Sequence, residues 1–208
     1  MFSSLTIKEF LTQLGSSRPT PGGGGAAALA GAQAAALVTM VARLTAGKKA
    51  FAAIEERIQE VIADGDHRQQ ELATFIDHDA KAFQAVMAAY ALPRATPEQK
   101  QSRNLTLQAA LKSATETPLS IARHCVAIVR LAGDMAEVGN PHIITDAGTA
   151  ALLAEAALAG AILQAQINLK AIKDSQYVEQ TQVEITFLVM AAREGRERAL
   201  AAVEKKLS

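Results

Sequence analysis

The sequence predicts an all-α fold, a bundle of long helices, and three observations carry that prediction. Alanine, which loses no rotamer freedom on entering a helix, occupies 44 of the 208 positions. Alternating β-branched and aromatic runs closed by hairpin turns occur nowhere, so no strand is expected. Apolar residues recur at three- and four-residue spacing through most of the chain, as helices with a buried face require. With 50% hydrophobic and 20% charged residues, the chain is apolar enough to offset the entropy of ordering, and its length suits a single domain over residues 1–208.

The elements follow in order. Ile7, Phe10, Leu11 and Leu14 share one face of a short helix over residues 6–14, which Gly15 ends. The next segment, Gly15 to Gly25, combines stiffening prolines with four consecutive glycines and reads as a mobile loop. Residues 26–44 carry no charge until Arg43. An alanine-dominated segment containing Gln33 and Thr39, without aromatic anchors, is expected as a buried central helix rather than a membrane span. Lys48 to Leu92 reads as a long helix that Asp64-Gly65-Asp66 bends. Thr96, Pro97 and Gln99 form an N-terminal capping signature for the following helix. Thr117-Pro118 is expected to cap or kink it, and Gly139 to stop it in a left-handed conformation. Thr145 or Asp146 then caps a helix reaching about Ile172, and a last helix runs from about Tyr177 into a charged surface stretch.

Twenty-one basic and 21 acidic residues cancel, leaving no field to concentrate nucleic acid. The single cysteine, Cys125, excludes an internal disulfide, and no export signal opens the chain, so a reducing cytoplasm is the expected setting. The glycine run before a helix invites a phosphate-loop reading, but no Gly-Lys-Ser/Thr follows it, and Gly47-Lys48-Lys49 lacks the hydroxyl and the upstream strand. His67, His78, His124 and His142 are scattered and form no two-histidine helical pair, so no metal is expected. Asp77 and Asp79 point to different sides of a helix, which argues against a joint role while leaving one of them to face inward. Two segments stand out as candidate sites: the glycine loop, and Gly139 to Asp146, a polar turn between alanine-rich helices.

At these loops the sequence resembles a known family. Arg18-Pro19-Thr20-Pro21-Gly22-Gly23-Gly24, Ala28 to Gly31, Leu44 to Lys49, Asp79 to Phe83, Gly139-Asn140, Asp146-Ala147-Gly148 and Ile167-Asn168-Leu169 are together similar to the cyclodeaminase/cyclohydrolase enzymes of tetrahydrofolate metabolism. The resemblance spans nearly the whole chain and rests on the order of these motifs rather than on any one. Phe51 departs from it where tyrosine is expected, and His142 where asparagine is common.

The resemblance implies a homodimer that acts on one-carbon tetrahydrofolate derivatives, with the folate itself as carrier and no metal or redox cofactor. Its site residues would be Pro21, Gly22, Gly23 and Gly24 as a closing loop, Lys48 and Lys49 toward the glutamyl tail, and Asn140 and Asn168 as amide contacts. Asp146 would be the carboxylate beside pterin or amidinium, with Asp79 a second candidate for proton transfer. Two chemistries share this framework: hydrolysis of 5,10-methenyltetrahydrofolate to 10-formyltetrahydrofolate, and loss of ammonia from 5-formiminotetrahydrofolate. The first is preferred because the second often accompanies a fused domain for which 208 residues leave no room. A non-catalytic helical binding module is the remaining alternative.

Overall fold

A computed structural model describes residues 1–208 as six α-helices with three short 3₁₀ turns and no strand. The helices are α1 (Ile7–Leu14), α2 (Gly23–Thr45), α3 (Glu55–Ala91), α4 (Pro97–Val138), α5 (Ile144–Leu169) and α6 (Ser175–Leu207). Side-chain caps begin several of them. Thr6 and Glu9 form a reciprocal capping box at α1, Thr96 and Gln99 do the same at α4 with Pro97 in the first turn, and Asp174 accepts from the Tyr177 N–H at α6.

Helix α2 is the central element. It runs antiparallel to α3, with Gly31 beside Leu72 and Gly65 beside Thr39, and antiparallel to α5, with Ala27 beside Gly160. Small residues at these crossings let the backbones approach closely. Both α2 and the 141–169 segment are long and apolar enough to cross a membrane, yet here they lie side by side, with α3 also covering α2. The buried hydroxyls of Thr39 and Thr45 donate to the carbonyls of Ala35 and Val41 at 2.8 and 2.7 Å, so no polar group is stranded in this helix. Cys125 is wholly buried beside Gly31, and burial pushes its thiol up to about 12.

The bundle refines several local expectations. Helix α3 runs unbroken through Gly65, which sits where a Cβ would strike Thr39 Oγ1, so this glycine serves close helix contact. Residues 49–54 form a 3₁₀ turn before α3 rather than its first turns. Pro118 lies inside an unbroken α4. Its missing N–H would have bonded the Ala114 carbonyl, and the Asn168 Nδ2 of α5 donates to that oxygen instead at 3.1 Å. Gly139 ends α4 at φ −72° and ψ 176°, in extended backbone rather than the left-handed region, and α5 starts at Ile144, with Ile143 rather than Thr145 or Asp146 as N-cap.

Candidate active site

The cavity with the most chemistry lies at the α2 N-terminal end of the bundle. It has a volume of about 390 Å³ and is walled by the 19–23 segment, α3 from Asp79 to Tyr90, α4 at Leu111 and Ala114, α5 from Gln164 to Asn168, and Ala171 just past its end. One helical face supplies a whole wall. Asp79, Phe83, Val86 and Tyr90 recur at four, three and four residues, so they align along α3, with Asp79 and Tyr90 roughly 16 Å apart by helical rise.

The glycine run is what admits Asp79 to this cavity. Gly22 is the N-cap of α2, and Gly23, Gly24 and Gly25 form its first turn, so these three glycines belong to the helix and not to the loop expected there. A Cβ on Gly24 would fall 2.5 Å from Asp79 Cγ, and one on Gly23 would fall 2.6 Å from Gln164 Nε2. Absent side chains thus let a carboxylate and an amide press against the helix end. Gly22 offers no capping side chain, and Asp79 Oδ2 does that work from α3 by accepting from the Gly25 N–H at 3.1 Å.

Two effects oppose each other on Asp79. Burial pushes its carboxyl above the ordinary range, and the Gly25 N–H pulls it back only in part. It is the one charged residue in the lining, where hydrophobic side chains make up 9 of 16 residues. A carboxyl in this state accepts and returns a proton more readily near neutral pH than an exposed aspartate. The amides of Gln164 and Asn168 stand across from it on α5 as hydrogen-bonding groups, and Phe83 and Tyr90 offer flat apolar surface.

The residues singled out from sequence fall at two ends of the bundle. Gly22, Gly23, Asp79 and Asn168 line the cavity, Gly24 packs on Asp79, and Pro21 is buried beside Gly25. Lys48, Lys49, Asn140 and Asp146 lie beyond or beside the far end of α2, about 33 Å away by the rise of its 23 residues. Asn140 fastens a joint there: its N–H donates to Thr45 Oγ1 at 3.1 Å, its Nδ2 to the Leu44 carbonyl at 3.4 Å, and its Oδ1 accepts from the His142 N–H at 3.2 Å. Asp146 sits in the first turn of α5, and Lys48 and Lys49 are exposed.

Sequence reasoning missed Gln164, Phe83, Met87 and Tyr90. The signal was present, since two of only eight aromatic side chains share a helical face with Asp79.

Known proteins are similar to this chain in sequence and fold. A family model described as Formiminotransferase-cyclodeaminase matches residues 6–186. The chain is 42% identical to the methenyltetrahydrofolate cyclohydrolase of Methylorubrum extorquens over 208 residues, which is 100% of both chains. It is 33% identical over 200 residues to the formimidoyltransferase-cyclodeaminase of Gallus gallus, covering 96% of this chain but 37% of that longer protein. The crystal structure of formiminotetrahydrofolate cyclodeaminase from Thermotoga maritima superposes over 100% of both chains with a TM-score of 0.90 at 27% identity. Because the matched residues run through α1 to α5, and so through every helix that walls the Asp79 cavity, the chain belongs to the formiminotransferase-cyclodeaminase family.

Proposed function

We propose that this protein is a methenyltetrahydrofolate cyclohydrolase, adding water to 5,10-methenyltetrahydrofolate to give 10-formyltetrahydrofolate. The observation that carries the reading is Asp79, a half-buried carboxyl held by one backbone N–H at the inner end of an otherwise uncharged cavity. The substrate's amidinium carbon is cationic, and a carboxylate beside it stabilises that charge and takes the proton of an attacking water. The water oxygen bonds to the carbon as its proton passes to Asp79. Breaking of the C–N5 bond follows, with that proton delivered to N5 and the hydroxyl proton released to solvent. The amides of Gln164 and Asn168 suit the donors and acceptors of a pterin ring, and Phe83 suits its face. Folate acts only as carrier of the one-carbon unit, and the steps above ask for no metal or redox group.

Hydrolysis is preferred over deamination because the full-length similarity at 42% identity is to a cyclohydrolase. The likeness to the Thermotoga maritima structure favours formiminotetrahydrofolate cyclodeamination as the second reading. Purified protein given methenyltetrahydrofolate should accelerate loss of the methenyl absorbance over buffer. Ammonia release from formiminotetrahydrofolate without that acceleration selects the second reading. Asp79→Asn keeps an oxygen for the Gly25 N–H but cannot accept a proton, so kcat should fall about 10²- to 10⁴-fold. Since burial disfavours the charged carboxylate, stability at neutral pH should hold or rise in that variant; the wild-type carboxyl costs most above its raised folded pKa and least below its unfolded one. Full activity in Asp79→Asn sinks its role.

A homodimer belongs to the same reading. Met40 and Leu44 of α2 and Leu152, Leu163 and Ile167 of α5 are exposed on adjacent helices, with Leu163 63% and Ile167 58% accessible. A second copy applied to this alanine-rich face covers them. A monomer in sedimentation at micromolar concentration counts against it. The cytoplasm is the proposed setting, consistent with one buried, unpaired cysteine.

A further inference from the structure

The cavity lining contains no lysine, arginine or histidine. At about 390 Å³ it lies near the small end of the ~300–1,000 Å³ typical of small-molecule sites, enough for the ring system of a reduced folate while its acidic tail extends past the rim. The two lysines assigned to that tail from sequence stand at the other end of α2. A cation is nevertheless built onto the rim. Arg103 of α4 lies with its guanidinium carbon 5.6 Å from the centroid of the Tyr90 ring, the residue that ends the Asp79 face of α3. Its Nε and Nη2 donate to the Tyr90 carbonyl at 3.2 and 3.0 Å, one of the last carbonyls of α3 and otherwise short of a helical partner. The side chain is half-buried and forms no ion pair, although seven other arginines pair with acids.

We propose that Arg103 is a substrate-binding residue that receives the glutamyl-tail carboxylate at the outer rim of the Asp79 cavity. The tethers to Tyr90 use one edge of the guanidinium and fix its plane, and Nη1 remains for an anion. A carboxylate is the group that this free edge fits, because its charge is uncompensated and its orientation is set before binding. Asp79 at the inner end and Arg103 at the outer end stand three helical turns apart along α3, so a p-aminobenzoyl spacer separates the reacting carbon from the tail as the two groups require.

This inference rests on the folate reading of the cavity, and its test separates the two. KM and kcat are measured for 5,10-methenyltetrahydrofolate and for the tail-less 5,10-methenyltetrahydropteroate, in wild type, Arg103→Ala and Arg103→Gln. Glutamine still donates to the Tyr90 carbonyl but carries no charge. Both variants should raise KM for the tailed substrate about 10- to 100-fold, as loss of a charge-assisted contact made equally in ground and transition state does, with kcat and the tail-less KM within about two-fold of wild type. Equal increases on both substrates, or rescue of the tailed KM by glutamine, reduce Arg103 to a support for Tyr90 and overturn the proposal. Loss of the tail preference in Lys48→Ala/Lys49→Ala but not in Arg103→Gln overturns it in favour of those lysines. If wild type turns over neither substrate, the functional reading has failed, and calorimetry with tetrahydrofolate and tetrahydropteroate then decides: an affinity gap lost in Arg103→Gln supports Arg103, and a gap that persists overturns it.

Discussion

Replacing Gly24 with alanine adds one methyl group at the point where α2 and Asp79 meet. An ideal Cβ there lies 2.5 Å from Asp79 Cγ and 2.9 Å from Oδ2, against the roughly 3.4–4 Å of ordinary contact, so the carboxyl must retreat by about 1 Å or more. That retreat breaks the 3.1 Å bond from the Gly25 N–H. Two magnitudes compete. Alanine in place of a helical glycine gains about 1 kcal/mol, and losing a hydrogen bond to a charged group costs about 1.5–3 kcal/mol. The net loss of about 0.5–2 kcal/mol lowers the melting temperature by roughly 1–8 °C in a chain of this size. Catalysis suffers more, because displacing a reacting group by about 1 Å costs about 10²-fold. The neighbouring Gly25→Ala change is the comparison: its Cβ meets Ile76 and Pro21 at 3.6–3.9 Å, so the same helix gain comes without displacing Asp79, and stability should rise by up to about 1 kcal/mol. Thermal melts and methenyltetrahydrofolate hydrolysis on both variants read the difference. Wild-type kcat in Gly24→Ala would falsify the claim that this glycine exists to seat Asp79.

Other outcomes follow from the same geometry. Asp77 is buried, which alone raises its pKa, but donors from the Ser3 hydroxyl and the Phe2 and Ser3 N–H groups outweigh that and hold it below the ordinary range. Its contribution is therefore present above the unfolded carboxylate pKa of about 3.9 and is lost as pH falls through the lower folded value; protection from hydrogen exchange at residues 2–5, relative to the intrinsic rate, should fall in that acid window and, at neutral pH, in Asp77→Ala. Unchanged exchange in that variant refutes the anchoring role. Asn168→Leu leaves the Ala114 carbonyl, already deprived of a partner by Pro118, unsatisfied, and should cost about 1–3 kcal/mol in denaturant unfolding; Pro118→Ala should recover much of that loss by restoring the helical donor, and no recovery refutes the coupling.

The elements themselves were legible because their causes are local. Alanine content, three- and four-residue apolar spacing, and the Thr6/Glu9 and Thr96/Gln99 boxes act within a turn or two of chain, so sequence alone placed α1, α2, the start of α4 and the all-α class. The motif order likewise sufficed for the family. Glycine and proline misled for the opposite reason. Taken alone, Gly22 to Gly25 mean freedom, Gly65 a bend and Pro118 a cap or kink; in the bundle each meets a residue from another helix, Asp79 and Gln164 for the first, Thr39 for the second and Asn168 for the third.

The site was half legible. Asp79, Asn168 and the glycines were named from sequence, but whether they share a cavity with Asp146, Asn140 and the lysines depends on the direction in which helices about 33 Å long pack. A linear motif holds no information about which end of a helix meets which. Antiparallel packing of α2 against both α3 and α5 put Asp79 and Asn168 at its N-terminus and Asn140 at its C-terminus, and the same packing set the burial that perturbs Asp79. Thus the sequence by itself determined the helices, their caps, the family and the candidate chemistry. Only the tertiary structure decided which carboxyl is desolvated and which cation reaches the cavity rim, because desolvation and ion contact are set by neighbours distant in the chain.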